Sequence, residues 1–190
     1  LDGETVLEPV VYLSQLIADN ISTNGASIIG ETVAINAGSM FNSGNLLANS
    51  TLTLNSTGDI INEGSVVSGG TLTATPGRDI ITGDGFDAAS AMLDAARDIN
   101  LRTDDYDIEG SILFSAGRDI SMDSIAETLS FGNTIQDGGS FNVSGNLSFD
   151  AGRDLTFTNA DIHADGDINF SAGNNIGIYA AAETSSDSGS

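Results

Sequence analysis

Hydrophobic residues recur along this chain in short alternating runs rather than at helical spacing. In the segments "TLTLN" (51–55) and "NLSFD" (146–150), apolar and polar residues change places at every position. This i, i+2 spacing is typical of a β-strand with one buried face. The runs are separated by turn phrases rich in glycine, asparagine and aspartate, so the pattern predicts many short strands joined by tight turns.

The alternating runs repeat with a period near 20 residues. The residues that precede each apolar restart after the turn phrase are Ser39, Asp59, Asp79, Asp98, Asp119, Asp154 and Asn175. A period of about 20 is too short for two-helix repeats but suits a coil of three strands and three turns. Stacked coils bury their apolar faces by parallel pairing at a spacing of about 4.8 Å. The sequence therefore predicts an all-β fold, a right-handed parallel β-helix (solenoid) with about 20 residues per coil over residues 21–180.

Aligning the chain on this period places the apolar residues in three columns, which we expect to lie one above another inside the solenoid. The first column is Val33, Leu52, Leu72, Ala91, Ile112, Leu147 and Ile168. The second is Ile35, Leu54, Ala74, Leu93, Phe114, Phe149 and Phe170. The third, after the turn phrase, is Ile60, Ile80, Ile99, Ile120, Leu155 and Ile176.

The turn phrase itself recurs as "TPGRDI", "DAARDI", "SAGRDI" and "DAGRDL". We interpret it as a corner: glycine adopts a positive φ, aspartate bonds neighbouring backbone N–H groups, and the next apolar residue re-enters the core. Arg78, Arg97 and Arg118 would then stack over one another, with a file of aspartates beside them as compensation. This interpretation makes the arginines structural rather than a binding site.

Three segments depart from the period. The interval of 35 residues between Asp119 and Asp154 predicts an excursion within 123–140, in which "DSIAETLS" could form a short helical turn and "GNTIQDGG" a loop. The alternative is one irregular short coil. Residues 1–20 contain the unpatterned apolar run "VLEPVVYLSQLIAD" (6–19) and are expected to be an N-terminal cap or a linker from a preceding domain. Residues 181–190 are expected to be a flexible Ser-rich tail.

Charge and composition exclude several function classes. The net charge of −22 would repel nucleic-acid backbones, so no nucleic-acid partner is expected. The chain has no cysteine, which removes disulfides and thiolate metal sites. It has no apolar run long enough for a membrane-spanning helix. The chain starts at Leu1 without a signal pattern, and we expect it to be a piece of a longer precursor.

Two acid-rich segments are the candidates for chemistry, because some β-helix enzymes cleave acidic polysaccharides with carboxylate clusters. The candidates are Asp104, Asp105 and Asp107 in the first segment, and Asp161, His163, Asp165 and Asp167 in the second. We expect the two segments to lie more than two coils apart, which favours solvated surface over an active site, so no catalytic residue, no cofactor and no small-molecule substrate are predicted. Asp165 and Asp167 remain calcium candidates only.

Two other polar patterns have structural interpretations. Three threonine pairs resemble the files of ice-binding β-helices but do not continue through the middle coils, which favours ordinary outward-facing strand residues. The pairs are Thr51 with Thr53, Thr71 with Thr73, and Thr156 with Thr158. Asn42 and Asn62 are expected to stack as a short asparagine pair at a bend rather than to bind a ligand.

The order of these features resembles a known family. The segment "LNSTGDIINEGSVVSGGTLTATPGRDI" is similar to the haemagglutinin repeat of filamentous-haemagglutinin-type exoproteins, and "FSAGNNIGIYAAAETSSDSGS" resembles the point where such repeats run into a Ser-rich segment. The resemblance covers residues 21–190. It departs from the family in "DGFDAASAMLDAARDI", which lacks the asparagine turn, and in 120–154, which is too long for one repeat.

The resemblance implies a non-enzymatic passenger of a two-partner secretion system. Such proteins pass through a dedicated outer-membrane transporter and fold outside as a filament, so the implied location is secreted or on the bacterial cell surface. Family members act as adhesins that bind a receptor or glycan on host or neighbouring cells, or as stalks that present a C-terminal toxin in contact-dependent growth inhibition, both roles in virulence or competition. The alternative function is a β-helix that binds or cleaves polysaccharide.

Overall fold

A computed structural model describes residues 26–102, 105–123, 125–128 and 134–180 of the chain, with the backbone alone for 125–128 and 134–137. The described residues are strands and turns, without a helix. In this part of the chain there is accordingly no helix that is long and apolar enough to cross a membrane.

The strands form seven stacked coils, numbered here from the N-terminus, and one hairpin between coils 5 and 6. In coils 1 to 4 a long strand bends over two faces and a short strand forms the third: β1 (Ser27–Ala37) and β2 (Met40–Asn42), β3 (Asn45–Ser56) and β4 (Ile60–Asn62), β5 (Ser65–Pro76) and β6 (Ile80–Thr82), β7 (Asp87–Ala95) and β8 (Ile99–Arg102). Coil 5 has three strands: β9 (Asp105–Ile108), β10 (Ile112–Ala116) and β11 (Ile120–Asp123). The hairpin is β12 (Ile125–Thr128) and β13 (Thr134–Asp137). Coils 6 and 7 again have three strands each: β14 (Ser140–Val143), β15 (Leu147–Ala151) and β16 (Asp154–Thr158), then β17 (Asp161–Ala164), β18 (Ile168–Ala172) and β19 (Asn175–Tyr179).

All pairing between coils is parallel, which gives the solenoid three faces. The first face contains the early part of β1, β3, β5 and β7 and then β9, β14 and β17. The second face contains the later part of the long strands and then β10, β15 and β18. The third face is the seven-stranded sheet β2-β4-β6-β8-β11-β16-β19. The predicted parallel solenoid with about 20 residues per coil is therefore confirmed.

The register confirms the three predicted columns. Leu52 pairs with Leu72, and Phe114 pairs with Phe149 across the interval of 35 residues. Ile60 pairs with Ile80 on the third face. Because every column residue from coil 2 to coil 6 is buried, the alternation read from the sequence places the correct residues inside the solenoid.

The interior changes character along the stack. Coils 1 to 3 are filled by aliphatic side chains, whereas coils 4 to 7 contain a continuous cluster of aromatic rings. Tyr106 stacks on Phe141 with ring centroids 4.7 Å apart, and Phe114 stacks on Phe149 at the same distance. Identical register brings like residues together, so aromatic residues in one column form a stack through several coils.

The hairpin corrects the local structure predicted for 123–140. The suggested helical turn over "DSIAETLS" is wrong, because Ile125–Thr128 is a strand paired antiparallel with Thr134–Asp137, a segment predicted as loop. A helix of about eight residues has too few internal hydrogen bonds to be stable without packing. In the hairpin the backbone groups of each strand instead form hydrogen bonds with those of the other strand. The chain then returns to the stack at β14, in register with β9.

Candidate functional site

The repeated corner phrase connects the second face to the third. Its alanine or proline ends a strand of the second face, and a strand of the third face begins at its isoleucine or, in the corner with leucine, at Asp154. The residue that follows the second-face strand is a glycine in five of the seven corners, at positions 38, 77, 117, 152 and 173, and it is Thr57 or Ala96 in the other two. The expectation that glycine supplies a positive φ here is wrong, since none of these corner glycines lies in the left-handed region.

Close approach between coils explains the glycine instead. A Cβ built on Gly152 would lie 2.3 Å from the carbonyl oxygen of Gly117 in the coil before it, and a Cβ on Gly117 would lie 2.3 Å from the carbonyl oxygen of Ala96. Such distances are well inside van der Waals contact. The corner therefore favours glycine because the backbones of successive coils pass too closely for a side chain.

Each corner arginine forms an ion pair with an aspartate of the preceding coil. Arg97 donates from Nε to Oδ1 of Asp79 at 2.9 Å, and its Nη2 also bonds Oδ2. Arg118 binds Asp98 in the same bidentate way, with Nε 2.9 Å from Oδ1. The series is completed by Arg153 with Asp119 and by Arg78 with Asp59.

The aspartates also hold the backbone of the following coil. Oδ1 of Asp79 accepts a hydrogen bond from the backbone N–H of Asp98 at 3.2 Å, and the equivalent bond recurs at each corner down to Asn175, whose N–H donates to Asp154. The predicted backbone bond of the corner aspartate is therefore correct, but its donor lies in the next coil. We call this repeated set of ion pairs and backbone bonds the corner ladder.

The corner ladder shifts the pKa values of two of its carboxyl groups. The bidentate bond from Arg97 lowers the pKa of Asp79, assisted by the backbone N–H of Asp98 and opposed by burial. The bond from Arg153 lowers the pKa of Asp119 in the same way. Both carboxylates are therefore held in the charged form that the ladder needs.

These shifts predict a loss of stability in acid. A carboxyl group whose pKa is lower in the folded state contributes stability above its unfolded pKa of about 3.9, and the contribution disappears as pH falls through the lower folded value. We expect Asp79→Asn to lower the melting temperature by about 2 to 4 °C between pH 5 and 8, for a loss of about 1 kcal/mol. Below about pH 4 the difference from the parent chain should shrink toward zero.

Thermal melts of both chains from pH 2.5 to 8 test this expectation. Asp94→Asn is a suitable control, because Asp94 is an exposed residue on the second face outside the ladder. A difference between the parent chain and Asp79→Asn that stayed constant down to pH 2.5 would contradict the assigned role of the carboxylate.

A second polar ladder lies inside the solenoid at the end of the third face. Asn42 donates from Nδ2 to Oδ1 of Asn62 at 2.7 Å, which confirms the predicted asparagine stack. Asn62 pairs in register with Thr82, and the hydroxyl of Thr82 lies 2.7 Å from the buried hydroxyl of Tyr106. Within the described residues no buried side-chain nitrogen or oxygen lacks a partner. The fold accounts for these polar groups, because each of them forms a hydrogen bond with another group of the solenoid.

The threonine pairs divide between two faces. Thr51 and Thr71 are in register on the second face, preceded by Thr32 and followed by Ser90, so this file continues for four coils. Thr156 lies instead on the third face, between Ser121 and Gly177. The third pair therefore cannot extend the first two, and no flat threonine array forms along the described solenoid.

The two acid-rich segments lie closer together than the sequence suggested. Asp105 in coil 5 and Asp161 in coil 7 both pair with Ser140 of coil 6, and Ser140 donates to Oδ1 of Asp105 at 2.6 Å. The expected separation of more than two coils is wrong, because the hairpin accounts for the extra residues of the interval. Asp104 lies outside the described residues.

A shallow groove of about 400 Å³ runs along the outer side of the first face and its following corner. Its polar lining is acidic with one histidine: Ser68, Asp87, Asp107, Glu109, Asn142, Ser144, His163 and Asp165. His163 Nε2 lies 3.3 Å from Oδ1 of Asp165, and both side chains are well exposed. The described lining contains no arginine that could bind a substrate carboxylate.

The groove offers few side-chain groups that could bind a metal ion or an acidic substrate. The described residues contain no group of three or more histidine, aspartate or glutamate side chains placed to hold a metal ion, and Asp165 and Asp167 stay calcium candidates on sequence grounds alone. An open, negatively charged groove repels acidic polysaccharides unless cations bridge the charges. The geometry that recurs from coil 2 to coil 7 is the corner ladder, not the groove.

The fold and its corners define a repeat protein of the parallel β-solenoid class. A haemagglutinin repeat family model matches residues 18–117, and a second haemagglutinin repeat model matches residues 130–190. The chain belongs to the haemagglutinin repeat family. Neither a curated protein nor a solved structure shows a significant match to this chain.

Proposed function

We propose that this chain is a non-enzymatic stalk or adhesive segment of a large bacterial surface exoprotein, which mediates cell adhesion or presents a C-terminal toxin. The observation that carries the proposal is the continuity of the coil-to-coil contacts. The core columns and the backbone pairing join each coil to the next, and the corner ladder joins coils 2 to 7. An architecture in which every contact extends the stack suits a spacer that holds its ends apart.

The location proposed is the bacterial surface or the surrounding medium. The haemagglutinin repeats support it, and the lack of cysteine suits a chain that must cross an outer-membrane transporter without disulfides. A dedicated two-partner secretion transporter is therefore the proposed partner during export. After export, the proposed partner is a receptor or glycan on a host or neighbouring cell.

Cell binding distinguishes adhesion from a pure spacer role. The 190-residue chain, labelled with a fluorophore, would be titrated onto host epithelial cells and onto bacteria, with a heat-unfolded sample as control. Saturable binding at or below micromolar concentration would support adhesion. Absence of binding in that range would rule out the adhesive role and leave the stalk role. A toxin-like domain further along the parent chain would support the stalk role.

The polysaccharide alternative has its own test, motivated by the groove that unites His163 and Asp165. Polygalacturonate and a neutral glucan would be incubated with the protein, with and without calcium, and new reducing ends measured. We expect no turnover. Robust cleavage by the parent chain that Asp165→Ala abolishes, while Asp94→Ala retains it, would replace the proposed function with an enzymatic one.

A further inference from the structure

Two outward-facing apolar residues on the first face are buried although they do not belong to the core. Leu47 and Val67 are in register on coils 2 and 3, whereas Ile29, the register partner of Leu47 in coil 1, is 36% exposed. Their neighbours Leu46 and Val66 belong to the core cluster, so alternation directs Leu47 and Val67 away from the interior. Leu47 is nevertheless 0% exposed and Val67 2%. We call Leu47 and Val67 the outer apolar file.

The shape of the first face does not explain this burial. The same file continues through the next coils with Asp87, Asp107, Asn142 and His163. All four of those side chains are exposed, and they line the open groove. A backbone position that is exposed in coils 4 to 7 becomes buried in coils 2 and 3 only if something covers those two coils.

Another outward apolar residue provides a comparison. Phe41 on the third face of coil 1 is 62% exposed, and Ile61 and Ile81, its register partners, are half-buried. Being apolar and outward-facing is therefore not sufficient for complete burial in this solenoid. The outer apolar file is covered, whereas the equivalent residues of the third face are not.

The position of the preceding chain indicates the cover. The carbonyl oxygen of Ala26 accepts a hydrogen bond from the backbone N–H of Asn45, so the chain enters the stack beside the outer apolar file. Residues 6–19 include valine, leucine, isoleucine and tyrosine side chains and only two charged residues, Glu8 and Asp19. Six residues lie between Asp19 and Ala26, so the seven Cα–Cα steps from one to the other can span about 25 Å, whereas Val67 in coil 3 lies only about 10 Å along the stack from coil 1.

We propose that residues 6–19 pack across the outer apolar file on the side of coils 2 and 3. The cover ends at Val67, where the file changes to Asp87 and the open groove begins. This role differs from a cap over the end of the stack, because the buried residues lie on its flank. It is independent of the proposed stalk function.

Thiol labelling of the full chain tests the proposal, because the natural sequence contains no cysteine. Val67→Cys would be introduced alone and together with Val10→Ser, Val11→Ser and Leu13→Ser, and its reaction with N-ethylmaleimide measured. We expect slow labelling in the single variant and labelling faster by about tenfold or more in the quadruple variant, because the weakened cover opens more often. Phe41→Cys should label rapidly in both backgrounds. Ala181→Ser combined with Ala182→Ser is the matched control. These two substitutions should not change the labelling rate of the Val67→Cys variant.

Three results would overturn the proposal. The first is rapid labelling of Val67→Cys in the otherwise natural chain. The second is slow labelling that the three serine substitutions do not change. The third is slow labelling that speeds up when residues 125–137 are replaced by a glycine-serine linker instead, which would identify the hairpin as the cover. Leu47→Cys repeats the measurement at a second site if the first substitution impairs folding, as judged by circular dichroism.

Discussion

Replacement of Phe149 by alanine is expected to destabilise the protein by about 3 to 5 kcal/mol, which would lower its melting temperature by roughly 10 °C. Phe149 is 1% exposed and touches rings in three coils. It stacks on Phe114 at 4.7 Å and meets Phe157 and Phe170 edge-on at 5.0 and 5.6 Å. Because the neighbouring rings are fixed by strand register, they cannot collapse fully into the cavity.

Arg118→Ala is the comparison for this prediction. Arg118 forms a bidentate pair with Asp98, but its side chain is about half exposed. Exposed ion pairs contribute about 1 kcal/mol or less, so the loss should be correspondingly small. Thermal melts of both variants decide the order, and a larger loss for Arg118→Ala than for Phe149→Ala would mean that the inner and outer faces are exchanged.

Gly152→Ala is expected to destabilise the protein by about 1 to 3 kcal/mol, although it adds only one methyl group. The added Cβ would lie 2.3 Å from the carbonyl oxygen of Gly117 and 2.8 Å from its carbon. The coils must separate at this corner to relieve the contact. Ala96 occupies the equivalent position naturally, and there the N–O distance to the preceding coil is 3.3 Å, compared with 2.8 Å at Gly152.

Gly38→Ala is the matched control. Gly38 lies in the corner of coil 1, no atom lies within 4 Å of a Cβ built on it, and its φ is outside the left-handed region. Alanine at this position should leave the melting temperature unchanged or raise it slightly, because it reduces the freedom of the unfolded chain. Equal losses for the two variants would contradict the close-approach explanation of the corner glycines.

The sequence predicted the columns well because, in a solenoid, the position of a residue within its repeat determines whether its side chain is buried. Leu52 and Leu72 stand one period apart, and parallel pairing without offset converts that spacing directly into contact. The asparagine stack of Asn42 and Asn62 was predictable for the same reason. Any feature that links identical positions of neighbouring coils can be read from the aligned repeats.

Features that link different positions were not predictable in this way. The corner ladder joins an arginine to the aspartate of the preceding coil, one residue further along the phrase, as in Arg97 with Asp79. Aligning the repeats placed arginine over arginine with a file of aspartates beside them as compensation, but it did not show which aspartate each arginine binds. This diagonal pairing between coils depends on the length of the arginine side chain and on the direction in which it leaves the backbone. The repeat spacing contains neither property.

Local conformation was the least predictable feature. The capping-type aspartate of "DSIAETLS" favoured a helical turn, but pairing with a second strand five residues later decided the structure. The outer apolar file was also missed, since Leu47 and Val67 each stand beside a core residue and look like part of the same apolar run. Only the burial of both adjacent side chains reveals that one of them faces a separate cover.

The central claim is that equivalent residues of successive coils lie side by side, and disulfide trapping across the hairpin interval tests it most directly. Leu113 and Ser148 are 35 residues apart in sequence and in register on neighbouring strands. Paired cysteines there should be about 5 Å apart at Cα and oxidise readily, whereas Ser115→Cys with Ser148→Cys, offset by two residues, should be beyond disulfide reach. Rapid bridging of the first pair alone is the predicted result; bridging of the offset pair alone, or of neither, would contradict the stacked register.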